Sequence, residues 1–526
     1  MKTVVAGALG ECVHVAGVTN FLRLADSAGW RTVFLGPAVS IETFLEAARR
    51  ENADLVGVSY RLTPETGERL LGEFAEEADE LHTKGVRFVF GGTPPVAERA
   101  QSMQFFDQIF DGTGSPDMVM SYLRGGSSGE FTQQNFPQST LERIKWKEPY
   151  PIIRHHFGLP TMKDTLEGIK LIADSSYLDV ISLGTDQDAQ ENFFHPEKQN
   201  PRRRGAGGVP VRSPEDFREL KRASSRGNYP LMRTYSGTDD FIALAEIFVE
   251  TIDIAWAAIP LFWFNRMDGR GPWNLKGSIR EHQRLMTWYG ERNIPVEINE
   301  PHHWGMRDAP DVVFAVAAYL SAYNARAFGV KDYIAQLMFN SPPGLSDSMD
   351  LAKMLAILDL IRPLSDSNFR IWRQTRTGLL SYPVDCDAAR AHLSASIYLQ
   401  MALRPHIVHV VGYTEADHAA TAAEVIESCK LARRSIENGL RQPDMTYDPL
   451  IQERKEELIK LAQKMIDEIV CLAPDSAPDP LIDAPTLTKA VTHGILDAPQ
   501  LINNPFAKGT IRTHIDKRGA CVILPK

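Results

Sequence analysis

Cysteine is scarce in this sequence: the 526 residues include five, and none belongs to a Cys-x-x-Cys pair. Scattered cysteines in odd number are not typical of a zinc site or of a disulfide-stabilised secreted domain. No apolar run approaches the ~18 residues of a membrane-spanning helix, and the N-terminus does not have the shape of a signal peptide. These absences predict a reduced, cytoplasmic protein that does not contact a membrane.

Positive charge is not concentrated anywhere along the chain. The 57 lysines and arginines are outnumbered by 67 acidic residues, which gives a net charge of −10. A nucleic-acid-binding domain normally carries a basic patch or a basic block, so the composition excludes a nucleic-acid partner. The proportions of hydrophobic and charged residues, 43% and 24%, are those of an ordinary globular protein, and the length predicts about two to four domains.

Short apolar runs alternate with amphipathic stretches at the beginning of the chain. The runs are Thr3–Leu9, Arg31–Leu35, Leu55–Ser59, Arg87–Gly91 and Gln108–Phe110. The amphipathic stretches between and after them are Val18–Ala28, Ile41–Glu51, Glu65–Lys84 and Ser115–Tyr122. This alternation predicts an α/β fold with a flavodoxin-like, doubly wound parallel sheet. In such sheets ligands bind at the carboxyl ends of the strands.

Small residues, polar residues and one histidine occupy these strand ends. They are His14 and Gly17 after the first strand, Ser59 and Arg61 at the third, Gly91 and Gly92 at the fourth, and Thr113 and Gly114 after the fifth. Small residues at one sheet edge leave a deep slot. A histidine on the adjoining loop has one ring nitrogen for a metal and another for a supporting partner.

The order and spacing of these residues resemble the cobalamin-binding domain family, whose signature is D-x-H-x-x-G, then S-x-L, then G-G. The resemblance implies a cobalamin cofactor with His14 as cobalt ligand and Gly17 beside it. It also implies a nucleotide tail along Ser59, Gly91 and Gly92 that ends near Thr113 and Gly114.

Two residues depart from the signature: Cys12 stands in place of the family's Asp, and Arg61 in place of its Leu. Both are expected beside the cofactor. The Asp of the family accepts the second imidazole N–H, whereas a thiol is a weak acceptor. We therefore expect a weaker cobalt–histidine bond, and both the ligated and the unligated form of His14 stay open.

The whole chain divides into four parts. Residues 1–124 form the cobalamin-binding domain and residues 125–149 a Gly/Ser-rich linker, while residues 150–445 predict a (β/α)₈ TIM barrel. Residues 446–526 form a helical and extended segment packed on that barrel. The eight predicted barrel strands are Pro151–Arg154, Leu178–Leu183, Leu231–Thr234, Ile259–Asn265, Val296–Asn299, Tyr333–Leu337, Phe369–Arg373 and Ile407–Val411.

Chemistry in such a barrel collects at the carboxyl ends of the strands. The polar residues predicted there are His155, His156, Asp186, Arg233, Asn265, Asn299, Glu300, Gln336, Asn340, Arg373, Gln374, Tyr413 and Glu415. Each one alone is more often a capping or structural group. Their recurrence at strand ends predicts a polar active-site rim, and Arg373 is assigned to the cofactor.

This second part resembles the catalytic chain of glutamate mutase. Met232–Asp239 is similar to its arginine-bearing strand end, and Asn299–Pro301 to its N-x-E-P stretch. Gly412–Ala416 stands in place of its K-T-P-H-E, and Gly494–Pro499 is similar to its closing G-x-x-D-x-P. The resemblance implies an adenosylcobalamin-dependent radical isomerase, with the cobalamin domain fused in front of the barrel.

The resemblance also implies roles for individual residues. Arg233 would clamp a substrate carboxylate, and Glu415 would hold the ribose of the adenosyl group. Glu300, with His302 or His303, would contact the substrate or move a proton.

Other family positions are lost: two substrate-binding arginines fall near Leu159 and Ala189–Gln190, and an acid/base glutamate falls near Ala258. The expected substrate is therefore a small carboxylic acid other than glutamate, and a monocarboxylic one. A homo-oligomer, specifically a dimer, is expected. Two alternatives stay open. A corrinoid methyltransferase usually has a helical domain before the cobalamin domain, whereas this chain starts on the sheet. A cobalamin carrier or sensor does not need a barrel with a polar rim.

Overall fold

The computed structural model describes residues 1–126 and 133–524, which cluster into two compact units. The first unit contains Met1–Pro137 with two short segments, Asp174–Tyr177 and Arg226–Tyr229, and the second contains the rest of the chain. Of the predicted linker, residues 127–132 lie outside the described part. Its later portion contains a helix, Thr140–Lys147, that belongs to the second unit.

The first unit is built on one parallel sheet. Its strands are β1 (Thr3–Leu9), β2 (Arg31–Val39), β3 (Leu55–Tyr60), β4 (Arg87–Gly92) and β5 (Gln108–Phe110), in the order β2-β1-β3-β4-β5. The intervening helices are α1 (Ala16–Ser27), α2 (Ile41–Arg50), α3 (Pro64–Thr83), α4 (Pro94–Ser102) and α5 (Pro116–Leu123). This is the flavodoxin-like order, so the predicted doubly wound sheet is confirmed.

Burial on both faces explains why β1 is a continuous apolar run, since all seven of its residues are buried. One face of the sheet packs on a cluster that includes Phe44, Phe74 and Phe88. The indole N–H of Trp30 donates to the carbonyl of Leu123 at 3.0 Å, which fixes the end of α5. The sheet is thereby held rigidly, and its carboxyl edge carries the loops of the site.

The second unit contains eight parallel strands: β6 (Ile152–Phe157), β7 (Val180–Leu183), β8 (Leu231–Arg233), β9 (Ala257–Ile259), β10 (Val296–Ile298), β11 (Asp332–Phe339), β12 (Arg370–Thr377) and β13 (Ile407–Val410). Neighbours in sequence pair in space, and β13 pairs with β6. At the remaining seam, between β8 and β9, Ala255 N donates to Met232 O at 2.7 Å. The predicted eight-stranded parallel barrel is confirmed as a nearly closed one.

Every barrel strand differs from its predicted bounds by at least one residue, and β9 and β12 differ most at their carboxyl ends. β9 ends at Ile259, so the apolar residues after it form a loop, and β12 continues to Thr377 instead of ending at Arg373. The second difference moves the carboxyl end of β12 by four residues. It therefore changes which arginine lies at that end.

Helices surround the barrel and extend it. They are α6 (Thr140–Lys147), α7 (Met162–Ser175), α8 (Gln187–Glu191), α9 (Pro214–Ser224), α10 (Phe241–Ile252), α11 (Leu275–Glu291), α12 (Glu300–Gly305), α13 (Asp311–Ala327), α14 (Asp347–Ile361), α15 (Cys386–Gln400), α16 (Ala422–Gly439), α17 (Pro449–Val470) and α18 (Ala484–Thr492). A hairpin of β14 (Thr513–Ile515) and β15 (Cys521–Ile523) follows. None of the described helices combines the length and the apolar character needed to span a bilayer.

The segment after residue 446 packs on the barrel helices. Arg454 of α17 donates to Asp311 of α13 at 2.9 Å, and the backbone N–H of Cys521 donates to the same carboxylate at 3.1 Å. Gln283 of α11 donates to the carbonyl of Ile482 at 2.8 Å. These contacts tie the end of the chain to the second unit.

The barrel interior changes from apolar to polar along the strands. The apolar layer near the amino ends includes Ile152, Val180, Leu231, Ile334 and Ile407. Because side chains two residues apart point to the same face of a strand, the next interior layer contains Arg154, Ser182, Arg233, Gln336 and His409. The interior therefore presents polar groups toward the carboxyl ends.

Candidate functional sites

The first candidate site is a groove of about 440 Å³ at the carboxyl edge of the sheet in the first unit. Seven of the predicted cofactor-binding residues line it: His14, Gly17, Ser59, Arg61, Gly91, Gly92 and Gly114. The loops after four different strands bring these residues together, as expected for a doubly wound sheet. Phe21, Phe110 and Pro116 add apolar surface to the same groove.

Three glycines leave space in this groove. No described atom lies within 4 Å of the position that a Cβ would take at Gly17, Gly91 or Gly114. Glycine at these three positions therefore leaves the groove open, because any side chain there would project into it. Gly92 differs, because a Cβ there would lie 2.7 Å from the carbonyl oxygen of Tyr60, so its role is in the packing of the groove wall.

His14 and Cys12 stand on the loop after β1. His14 is exposed, whereas Cys12 is fully buried in the core of the unit. The sulfur of Cys12 lies 3.9 Å from Nδ1 of His14. A thiol at this distance is a weak partner, which leaves Nε2 of the exposed ring free to meet a ligand.

Thr113 does not line the groove and shapes the last turn instead. Its backbone N–H and its hydroxyl donate to Oδ1 of Asp111 at 2.9 and 2.6 Å. These two bonds lower the pKa of Asp111, because they favour the charged carboxylate. The turn passes through Gly112 at φ +82°, a left-handed conformation that glycine adopts without strain.

The second candidate site is the polar interior of the barrel, and it is centred on Glu297. This buried carboxylate accepts from the indole N–H of Trp256 at 2.8 Å and from Gln336 at 3.2 Å. The guanidinium groups of Arg154 and Arg233 each lie 3.7 Å from it. One carboxylate therefore serves two buried arginines.

Arg154 and Arg233 receive further support from neighbouring side chains. Arg154 donates to Ser182 Oγ at 3.0 Å and to Nδ1 of His409 at 2.7 Å. Arg233 lies 5.4 Å from the ring centres of both Tyr235 and Trp256, where a cation is attracted to the ring faces. These contacts fix the position of both guanidinium groups in the barrel interior.

Histidines in this layer and above it are kept neutral. Burial lowers the pKa of His156 to about 3, and the charge of Arg376 adds to the effect. Burial and Arg376 likewise lower the pKa of His302 to about 3 and that of His409 well below its ordinary value. The hydroxyl of Tyr235 lies 3.0 Å from Nε2 of His156, and the two rings stack.

The neutral ring of His302 carries one proton, and its neighbours show which nitrogen holds it. Its Nδ1 lies 2.7 Å from the carbonyl of Asn299 and 3.1 Å from Oε1 of Gln336, both of which are acceptors. Nδ1 therefore carries the proton, and Nε2 offers a lone pair. His303 packs on this ring at 4.0 Å between ring centres.

Several buried polar atoms of the interior have no hydrogen-bond partner among the described residues. They are Nε of Arg154, Nε and Nη2 of Arg233, Oδ1 of Asn299, both ring nitrogens of His303 and both amide atoms of Gln374. A buried polar atom without a partner is costly. A polar ligand in the interior could supply partners to such atoms.

The predicted catalytic residues are distributed unequally. Arg233, His302 and His303 lie in the polar interior, whereas Glu415 is an exposed residue on the loop after β13. Partial desolvation raises the pKa of Glu415, and Arg376 opposes this shift. Glu415 is therefore within electrostatic reach of the interior.

Glu300 has its contacts inside the protein. One oxygen accepts from the backbone N–H groups of Leu261 and Phe262 at 2.6 and 2.9 Å, and the other accepts from Trp304 at 2.8 Å. Burial raises its pKa to about 7, against the effect of these donors. Its geometry is that of a brace for the loop after β9, and its role in contacting the substrate or moving a proton stays a prediction.

Arg373 also lies elsewhere than expected. Its guanidinium donates to the carbonyl of Arg404 at 2.7 Å, in the amino-terminal half of β12. The arginine at the carboxyl end of this strand is Arg376, which sequence reasoning missed because it ended the strand too early. Glu297 and Tyr235 were missed as well. The alternation of β12, with Trp372 inside, was the signal that could have revealed Arg376.

Comparisons with known proteins concern the first unit. Residues 2–116 match the family model described as B12 binding domain. The glutamate mutase sigma subunit of Clostridium tetanomorphum is 29% identical over 131 residues, which cover 23% of this chain and 93% of that subunit. Glutamate mutase sigma subunit 2 of Haloarcula marismortui is 37% identical over 130 residues, covering 24% and 86%.

Among solved structures, a novel cobalamin-binding protein from Desulfitobacterium hafniense DCB-2 aligns with 20% identity and a TM-score of 0.21. The alignment covers 23% of this chain and 58% of that one. The first unit is a B12-binding domain. Through this unit the chain belongs to the family of the glutamate mutase sigma subunits.

The residues of the groove fit a cobalamin. The open positions at Gly17, Gly91 and Gly114 form a cradle that side chains would fill. The exposed imidazole of His14 stands at the same edge. Histidine nitrogen is a common metal ligand in proteins.

Proposed function

We propose that this protein is an adenosylcobalamin-dependent isomerase of the carbon-skeleton mutase kind, acting on a small carboxylic acid other than glutamate. The observation that carries the proposal is the combination of two parts in one chain. A B12-binding domain of the sigma-subunit family is joined to a parallel barrel whose interior holds arginines, neutral histidines and unpaired polar atoms.

In the first unit, His14 would hold the cobalt, and Ser59, Gly91 and Gly92 would lie along the nucleotide tail. Gly17 and Gly114 would leave room beside it. When bound, adenosylcobalamin supplies a weak cobalt–carbon bond whose homolysis starts radical chemistry. The protein supplies position and protection from water.

In the barrel, the side chains are arranged to bind an anion without exchanging protons with it. His156, His302 and His409 are held neutral by burial and by Arg376. Tyr235 keeps its proton, because burial raises its pKa. Such groups orient a substrate through hydrogen bonds, and Glu415 would meet the adenosyl ribose at the rim.

Anaerobic spectroscopy tests the proposal. The purified protein is mixed in turn with adenosylcobalamin and with methylcobalamin, and electron paramagnetic resonance spectra are recorded with and without a panel of short carboxylic acids. We expect a radical signal with adenosylcobalamin and one of the acids. Consumption of the methyl group of methylcobalamin, with no radical in the other arm, would instead identify a corrinoid methyltransferase.

A further inference from the structure

Arg376 is the cation of the barrel interior whose charge is least compensated. It lies at the carboxyl end of β12 and is 3% exposed. Among the described residues no carboxylate lies within 4 Å of its guanidinium, in contrast to Arg154 and Arg233, which share Glu297. Its hydrogen bond, from Nε to the carbonyl of Thr377, is long at 3.4 Å.

The rings around Arg376 are uncharged. Its charge acts on the uncharged rings of His156, His302 and His409, of which the last two are buried and the first is partly buried. Two carboxylates, Glu415 at the rim and Glu297 in the interior, act on Arg376 at longer range than an ion pair. Burying a cation without a partner is expensive, so a protein retains one where a ligand supplies the missing charge.

We propose that Arg376 binds the carboxylate of the substrate, with its terminal nitrogens donating to the two carboxylate oxygens, and that the substrate carries one carboxylate only. Arg233, which the sequence predicts as the clamp, is instead a positioning residue held by Glu297 and two aromatic rings. The inference rests on the proposed function, since it specifies the acid that the isomerase accepts.

The remainder of the substrate should be neutral. Nε2 of His302 offers a lone pair, and both nitrogens of His303 are buried without a partner among the described residues. Arg270 and Arg307 act electrostatically on His303. Arg270 is paired with Asp268, and Arg307 donates to the carbonyl of His303. A second carboxylate beside these rings would therefore be desolvated without a cation of its own, which costs free energy. A hydroxyl group or an alkyl chain would not meet this cost. The substrate class is a short monocarboxylic acid or its hydroxy derivative.

Isothermal titration calorimetry on the full chain tests this inference without turnover and without cobalamin. The probes are butyrate, 3-hydroxybutyrate, the neutral isostere butyramide, and the dicarboxylate glutarate. We expect both monocarboxylates to bind, butyramide not to bind, and glutarate to bind no more tightly than butyrate. Failure of both monocarboxylates to bind at millimolar concentrations, or tighter binding of glutarate, would overturn the proposal.

Substitutions then identify the anchor. Arg376→Gln should weaken butyrate binding by about thirtyfold or more, since a buried charge pair is lost. Arg376→Lys should have an intermediate effect, because an ammonium keeps the charge but not the planar fork. The matched control is Arg370→Gln on the same strand, whose guanidinium pairs with Asp332 at the opposite end. Unchanged butyrate affinity in Arg376→Gln would overturn the assignment.

Thermal stability separates binding from structure. Removing an unpaired buried charge should leave the Tm of Arg376→Gln equal to or above that of the wild type. Arg233→Gln should lower the Tm, because Glu297 loses a partner. A large fall in the Tm of Arg376→Gln would show a structural role and contradict the proposal. Carboxylate binding through Arg376 without a radical signal from any acid would leave this site standing and refute the isomerase.

Discussion

The sulfur of Cys12 lies 3.9 Å from Nδ1 of His14, in the position where the cobalamin-binding signature has a carboxylate. His14 itself is accessible to a ligand, because it is exposed and borders the groove. The basicity of the imidazole is therefore the property that this substitution affects.

Cys12→Asp should strengthen the bond between His14 and cobalt, because a carboxylate accepts the Nδ1 proton and raises the basicity of Nε2. The measurement is nitrogen superhyperfine splitting in the cobalt(II) spectrum of bound cobalamin. The splitting should be larger in Cys12→Asp than in the wild type, absent in His14→Ala, and unchanged in the control Cys12→Ala. Equal spectra for the wild type and His14→Ala would mean that the wild type does not use this ligand.

Gly91→Leu should abolish cobalamin binding and leave the fold intact. The new side chain would enter the groove, where no described atom lies within 4 Å of the Cβ position. Titration of the full chain with hydroxocobalamin, followed by absorbance, measures the binding. Gly72→Leu is the control, since Gly72 lies on α3, away from the groove, and also has open space around it. Full cobalamin binding by Gly91→Leu would refute the placement of the cofactor.

Glu300 should make stability depend on pH. Burial raises its pKa to about 7 from an ordinary 4.5, so the folded state binds a proton more readily than the unfolded state. The corresponding stabilisation is fully present below pH 4.5 and is lost as the pH rises through about 7. A shift of this size corresponds to about 3 kcal/mol.

The measurement is the Tm of the wild type and of Glu300→Gln between pH 4.5 and 8. The Tm of the wild type minus the Tm of Glu300→Gln should decrease as the pH rises. Glu291→Gln, at the exposed end of α11, should follow the wild type at every pH. If the Tm of the wild type minus that of Glu300→Gln stays constant or increases with pH, the pKa of Glu300 is not raised in the folded protein.

Glu297→Gln should destabilise the second unit. Arg154 and Arg233 would lose the carboxylate that they share, and breaking a buried ion pair costs about 3–5 kcal/mol. Urea unfolding measures the loss. The double variant Glu297→Gln/Arg233→Gln should recover part of it, because one unpaired charge is removed. A double variant less stable than the sum of the two single effects would argue against the shared-carboxylate arrangement.

The polar end of β12 shows where sequence reasoning stops. An apolar run normally marks a buried strand, and the first part of β12 has one around Ile371 and Trp372. Gln374–Thr377 is polar and nevertheless buried, because it faces the site and neighbouring strands. A prediction from hydrophobicity therefore ends the strand early and selects Arg373 in place of Arg376.

The sequence likewise does not reveal whether Glu297 or Glu300 faces the barrel interior. Glu297 lies in β10, and Glu300, three residues later, begins α12. Which one faces two arginines and which one braces a loop follows from contacts with β6, β8 and the loop after β9. Spacing along the chain does not contain that information.

The sequence by itself determined the two-part architecture and the cobalamin motif of the first unit. Strand and helix periods are local, and the groove residues follow directly after consecutive strands of a sheet with a known order. The interior of the barrel was decided by the tertiary structure. There the state of a charge can depend on residues more than a hundred positions away, as Arg154 and His409 illustrate. Burial makes the histidines neutral, and it leaves Arg376 without an ion pair among the residues that the structure describes.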